Sequence, residues 1–312
     1  MKLIICGNGF DLHHGFKTGY HHYKNFLEVH YPQAIRDFED FPYINLSVSN
    51  KWSDLESSLS LDYDDCLGNA IATFYPDMND DSDSRWYGID VELEQQTEFI
   101  FNFTGPYFIE WLAQTDFSNP SDLIPLDKGA RYITFNYTGT LENIYGVGAD
   151  NIFHIHGQME FAHNSGEPNH SSKRNNMHKT GRGFDDIQFG SIENDSDVIQ
   201  RELEQVYGED DFFSVSIEPG IHHIIGFCEA ASKKLENNYD DLTHFIKTAP
   251  IDEVVVMGHS LIGVDGAYYS NVIVPLLADS RWVFYWYSEF EKSDILKFVD
   301  LFSIREYELI KW

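Results

Sequence analysis

Residues 2–12 read K-L-I-I-C-G-N-G-F-D-L: an apolar run rich in β-branched residues, a turn with two glycines, then residues suited to a helix. A short unbroken apolar run suits a parallel strand covered on both faces, whereas a half-exposed strand would alternate. Working outward, the same sequence of events recurs. Arg131–Phe135 (R-Y-I-T-F) runs into N-Y-T-G-T and a helical Leu141–Tyr145; Glu253–Met257 (E-V-V-V-M) runs into G-H-S-L-I-G-V-D-G and a helical Ala267–Leu277. Trp282–Tyr287 is a further strand, and the shorter Asn151–His154 leads into Ile155-His156-Gly157. Strand, turn and helix in repetition predict an α/β fold, a doubly wound, mostly parallel Rossmann-like sheet with ligands at the carboxyl ends of its strands.

Well over a hundred residues separate the first two strands without a β pattern. Glu92–Asn102 and Tyr107–Thr115 read as helices there, the second just after Pro106. The expectation is one domain over 1–312, with a helical insertion over about 27–125 and a polar loop plus helices over about 160–250. Residues 164–186 are polar and read as a surface loop or lid. Asp77–Ser84 imitates a calcium loop, but Ser82 stands where that loop needs glycine and Gly88 where it needs glutamate, so a solvated acidic loop is expected.

The 312 residues carry 21 Lys and Arg against 51 Asp and Glu, a net charge of −30. That field repels phosphate backbones and argues against direct nucleic-acid binding. The adjacent Lys233 and Lys234 are read as solvated surface. No apolar run approaches the length of a membrane span, and the few apolar residues before Gly7 read as a strand and not as a signal peptide. Cys6, Cys66 and Cys228 lie far apart and show no C-x-x-C spacing, which fits a reducing cytoplasm and excludes a cysteine zinc site. The histidines match no zinc spacing, so no metal is expected.

Three turns carry candidate chemistry. Gly7, Asn8, Gly9, Phe10 and Asp11 follow a buried strand, where backbone amides can cradle a pyrophosphate. Asn136 sits just beyond a strand, and its amide can hold a ribose hydroxyl or orient a water. In the extended H-I-H-G run the imidazoles of His154 and His156 are read as facing opposite ways, so they do not share a metal. His156, beside Gly157, is the candidate acid or base. Gly258-His259-Ser260 tempts a nucleophile-elbow reading, which fails because Ile262 replaces the second glycine and no histidine follows Ser260.

In order, G-N-G-F-D-L-x-H-G (7–15) with Thr18 and Tyr20, W-S-D-L-E (52–56), F-N-Y-T-x-T-L-E (135–142), H-I-H-G (154–157) and G-H-S-L-x-x-x-D (258–265) resemble the AbiH family, associated with bacterial abortive infection by phage. The motif order is also similar, more remotely, to the sirtuin-like fold of NAD-degrading antiphage effectors. That likeness sets Gly7–Asp11 on the glycine-rich turn, Asn136 on the catalytic asparagine and His156-Gly157 on the catalytic His-Gly. Gly258, His259 and Ser260 would form the ribose-contacting turn, His259 standing where Thr or Ser is usual. The zinc cysteines of the deacetylases are missing, which argues against an acetyl-lysine substrate.

The resemblance thus implies a cytoplasmic effector that hydrolyses NAD, as substrate, at the nicotinamide–ribose bond. Asn136 and His156 would be catalytic, the Gly7–Phe10 amides would hold pyrophosphate, and Ser260 and Asp265 would contact sugar hydroxyls. Rival expectations are a sensor that binds NAD or ADP-ribose without turnover, a nucleosidase acting on another nucleotide, and a module that docks a partner defence protein or a second copy of itself through its acidic face.

Overall fold

The computed structural model describes residues 1–44, 51–52, 54–77, 79, 83–159, 187–208 and 213–312. The polar loop read over 164–186 lies outside the described residues, as does part of the acidic 77–84 loop. Six parallel strands form one sheet: β1 (Lys2–Cys6), β2 (Arg131–Thr134), β3 (Ile152–His154), β4 (Glu253–Met257), β5 (Arg281–Trp286) and β6 (Tyr307–Lys311). Their order is β3-β2-β1-β4-β5-β6. The order reverses between β1 and β4, which sets a topological switch point at their carboxyl ends.

The chain divides into two compact units where the sequence reading expected one domain. The first comprises Met1–Gly19, Trp111–Gln188 and Leu235–Trp312, and the second Tyr20–Glu110 and Phe189–Lys234. The helical insertion is therefore shorter than 27–125, and the segment after 188 contributes to that same second unit.

In the first unit both sheet faces are covered, which is why its strands read as unbroken apolar runs. Leu3, Ile5, Ile133, Val254, Val256 and Phe284 are buried on one face with Phe245 and Phe298 of the flanking helices. Ile4, Cys6, Tyr132, Ile152, Val255 and Met257 are buried on the other with Phe10. β6 escaped the sequence reading because Y-E-L-I-K is an edge strand in which no residue is fully buried. A strand open on one side tolerates charge, so its pattern weakens.

None of the six strands lies in the second unit. The Tyr20–His30 helix buries Tyr23 and Leu27, and Tyr23 donates to the Phe103 carbonyl at 2.5 Å. Lys233 corrects the surface reading: it is 3% exposed and donates to Glu56 Oε2 at 2.7 Å. Tyr20 donates to Glu56 Oε1 at 2.8 Å. Charge in a residue pair cannot be read as solvated when its partner lies 177 positions away.

Removing one partner of a buried ion pair leaves the other charge uncompensated. Lys233→Ala is expected to cost about 3–5 kcal/mol in urea unfolding. The neighbouring Lys234, half-exposed and 3.8 Å from Asp197, should cost no more than about 1 kcal/mol when replaced by Ala.

Candidate functional site

The carboxyl ends of β1 and β4 meet backbone to backbone. Gly7 N–H donates to Met257 O at 3.1 Å and Gly9 N–H to Gly258 O at 2.8 Å. A Cβ on Gly7 would lie 2.5 Å from His259 Cα, and one on Gly258 would lie 2.3 Å from Phe10 N. Gly258 also holds φ at +61°, a left-handed conformation that side chains resist. The glycines thus serve a close approach, as expected, but the approach is of one turn to the other.

This changes the part assigned to the first turn. Phe10 N–H donates to Gly7 O at 2.9 Å, so the amides of Gly7, Gly9 and Phe10 all have acceptors inside the protein. They cannot be offered to a pyrophosphate without breaking the junction. Asn8 is also engaged, its Oδ1 accepting from Thr18 at 2.6 Å.

Asp11, one helical turn further, is fully buried. Its carboxylate accepts from Thr138 at 2.5 Å and Thr140 at 2.7 Å, and from the Asn136 side chain. It thereby ties the β1 turn to the N-Y-T-G-T turn after β2, and it touches no solvent. Burial raises its carboxyl from 3.8 to about 6, against the opposing pull of those hydrogen bonds and of His154. The native state then binds this proton more tightly than the unfolded chain does. The resulting stability is present below 3.8 and lost as pH rises through about 6. An ionised Asp11 at neutral pH costs the fold on the order of 3 kcal/mol.

Asn136 is 6% exposed, and its N–H donates to Thr134 Oγ1 at 3.1 Å. An ionised Asp11 can only accept, so the side-chain NH2 of Asn136 faces it and Oδ1 points away. That Oδ1 is buried and has no hydrogen-bond partner among the described residues. A buried acceptor left unmade costs about 1–3 kcal/mol, and a ligand hydroxyl or a water would satisfy it.

His156 lies beside Asn136 because β2 and β3 pair with Thr134 opposite His154, which puts each residue two positions past that pair. The His156 ring is 5.6 Å from Phe135 and 6.2 Å from Tyr137, the two neighbours of Asn136. Its Nε2 is 2.9 Å from Asp265 Oδ1. His259 approaches the other oxygen of that carboxylate, Nε2 to Oδ2 3.7 Å, while its Nδ1 meets Tyr269 OH at 2.9 Å. His259 also stacks on Phe135 at 3.7 Å.

Asp265 therefore anchors two imidazoles, and the expected sugar contact is not the role its geometry gives it. Ser260 is exposed and donates to Ile262 O at 2.5 Å, so its hydroxyl serves its own loop. The sequence reading assigned no role to Thr138, Thr140, Tyr268 or Tyr269; they surround the expected residues, and only the shared motif containing the threonines hinted at them.

The two histidines of H-I-H-G do face different partners. His154 Nε2 meets Glu142 Oε1 at 2.8 Å, and His154 acts on Asp11. His156 turns to Asp265, and its ring lies 6.0 Å from that of Tyr268, on the opposite face. Strand alternation is not the cause, because residues two apart share a face. β3 ends at His154 and the chain turns through Ile155 and His156, which swings the second imidazole across. Asn136 and His156 consequently take partners on different faces of the sheet edge, Asp11 for one and Asp265 for the other.

Among the described residues the remaining thiols and potential metal ligands offer no rival centre. Burial pushes Cys66 and Cys228 up to about 12, far from a reactive thiolate. Among the described residues no three His, Cys, Asp or Glu side chains group to hold a metal. An open cleft lined by Gln33, Arg36, Asp37, Asp40, Gln95 and Glu98 lies within the second unit and contains no residue of the shared motifs.

A family model for bacteriophage abortive infection, AbiH, matches residues 3–286. No curated protein and no solved structure matches the chain, so the likeness to the sirtuin-like fold rests on the motifs alone. Among the described residues no helix is long and apolar enough to cross a membrane.

The turn junction makes its own prediction. Gly258→Ala should lower stability by about 3 kcal/mol or more, through strained φ and the clash with Phe10. Gly148→Ala, where a Cβ meets nothing within 4 Å and φ is −68°, should leave the denaturation midpoint unchanged or slightly raised.

Proposed function

The chain belongs to the AbiH family of bacteriophage abortive infection proteins, which gives it a role in antiphage defence, and we propose that it acts there by hydrolysing NAD at the nicotinamide–ribose bond. The observation that carries this reading is the buried, unpartnered Oδ1 of Asn136, with the carboxylate-anchored His156 at the end of the neighbouring strand although its partners lie on the other face. Both stand at the carboxyl edge of a parallel sheet, where such folds bind ligands.

In the proposed reaction the C1′–N bond breaks and its electron pair leaves with nicotinamide. The ribose passes through an oxocarbenium-like state, and a water oxygen bonds to C1′. Asn136 Oδ1 accepts from a ribose hydroxyl or from that water. His156 keeps its Nε2–H, hydrogen-bonded to Asp265, and takes up at Nδ1 the proton the water loses. Asp265 then faces an imidazolium, the form a carboxylate stabilises. Two carboxylates, Asp11 behind Asn136 and Asp265 behind His156, also suit a centre that becomes positive.

A second reading has one observation in its favour. With the amides of Gly7, Gly9 and Phe10 already bonded, a pyrophosphate finds no ready cradle, which favours a nucleosidase acting on a nucleoside or nucleotide of smaller phosphate charge. One experiment separates the two. Purified protein is incubated with NAD, mononucleotides and nucleosides in parallel, and released nicotinamide or free base is measured by chromatography. Nicotinamide from NAD alone supports the first reading, free base from the smaller substrates supports the second, and NAD binding without product makes the protein a sensor.

His156→Ala and Asn136→Ala should each lower cleavage by at least about 100-fold with unchanged circular dichroism. His154→Ala should lower stability more than activity, because its contacts lie with Glu142 and Asp11. Full activity in His156→Ala would remove the base from the mechanism.

A further inference from the structure

We propose that Asp11 is the positioning residue of the site, fixing the amide of Asn136 so that it presents an acceptor to the ligand. The inference rests on the reading that Asn136 touches the ligand, and it adds a device that sets the polarity of that contact. An asparagine side chain has two ends of nearly equal shape, one donating and one accepting. Nothing in its own covalent structure decides which end faces the ligand. Here Asp11 decides it, because a carboxylate cannot donate and so draws the NH2 end.

The same geometry shows how the choice could reverse. A protonated Asp11 carries one O–H, and its threonine partners Thr138 and Thr140 can accept as well as donate. The NH2 end of Asn136 then loses its charged acceptor. The burial that raises the Asp11 carboxyl to about 6 places this change where a modest acidification reaches it.

The titratable groups around Asp11 come from three elements. Cys6 at the end of β1 faces it, with its thiol raised by burial and therefore neutral. His154 at the end of β3 draws the carboxyl down and is itself held by Glu142. On the helix of Asp11 itself, His14 turns away, its Nδ1 to Phe10 O at 2.6 Å and its Nε2 to Tyr145. A His154 variant therefore serves as the control for Asp11.

The test follows the Asn136 side-chain amide by nitrogen-15 NMR in the full-length, deuterated protein, with the signal identified by its loss in Asn136→Ala. The expected result is one titration of that amide with a midpoint near 6. The midpoint should persist in His154→Gln. It should rise in Thr138→Val, which removes a donor to the charged carboxylate, return in Thr138→Ser, and vanish in Asp11→Asn. Should Asp11→Asn fail to fold, the Thr138 pair carries the test. An amide signal that stays flat through this range, or a midpoint that disappears with His154, overturns the proposal.

A parallel NAD-cleavage profile separates this proposal from the reaction it rests on. Titration of the amide without NAD turnover would leave the Asp11 brace standing and remove the NAD reading. NAD turnover whose acid limb ignores Thr138→Val would do the reverse.

Discussion

The site depends on a contact between two turns that have no side chains at the point where they meet. Gly9 donates to Gly258 across the reversal of strand order, and Gly7 and Gly258 leave no room for a Cβ on either side. Because β1 and β4 feed helices on opposite faces of the sheet, this junction brings residues of both faces within reach of the same edge. Asp11 lies four residues past Gly7, and Asp265 lies seven past Gly258. A change of spacing in the junction moves both carboxylates, and with them Asn136 and His156.

Buried charge is arranged to hold polar groups rather than to strengthen the fold. Asp11 is ionised at neutral pH, and its raised carboxyl makes that charge a cost to the fold. It stays because three donors converge on it and fix the turn that carries Asn136. Asp265 does the same for His156 and His259, and Glu56 for Tyr20 and Lys233 within the helical unit. Replacing such groups by well-packed apolar residues is often neutral or stabilising, so their retention points to orientation as the quantity they supply.

The sheet was legible in the sequence because its strands are buried on both faces. L-I-I-C and V-V-V-M carry no alternation to misread, and their glycine turns mark where each ends. β6 was not legible, since an edge strand carries charges that a central strand excludes. Asn136 and His156 were singled out from their positions past strand ends, but the partners that orient them were not. Asp11 and Asp265 read as ligand contacts because a sequence shows that a carboxylate stands near a turn and not which way it points. Lys233 read as surface for a similar reason, its counter-ion being far away along the chain. The two units, too, could not be separated by pattern, because the second is assembled from two distant stretches.

The glycine turn carries the most consequential ambiguity. Glycine after a strand has two physical uses, a close approach to a phosphate or a close approach to another backbone, and the residue pattern is the same for both. Here the amides that would distinguish them are bonded within the protein. The described contacts at this edge are made by Asp, Asn, His, Thr, Tyr and Ser side chains, and the chain as a whole carries −30. Groups of that kind recognise hydroxyls and a developing positive charge better than they recognise phosphate. On the proposed nucleotide reading, the edge suits the sugar of the ligand, and a phosphate would have to be held by groups other than the glycine turn.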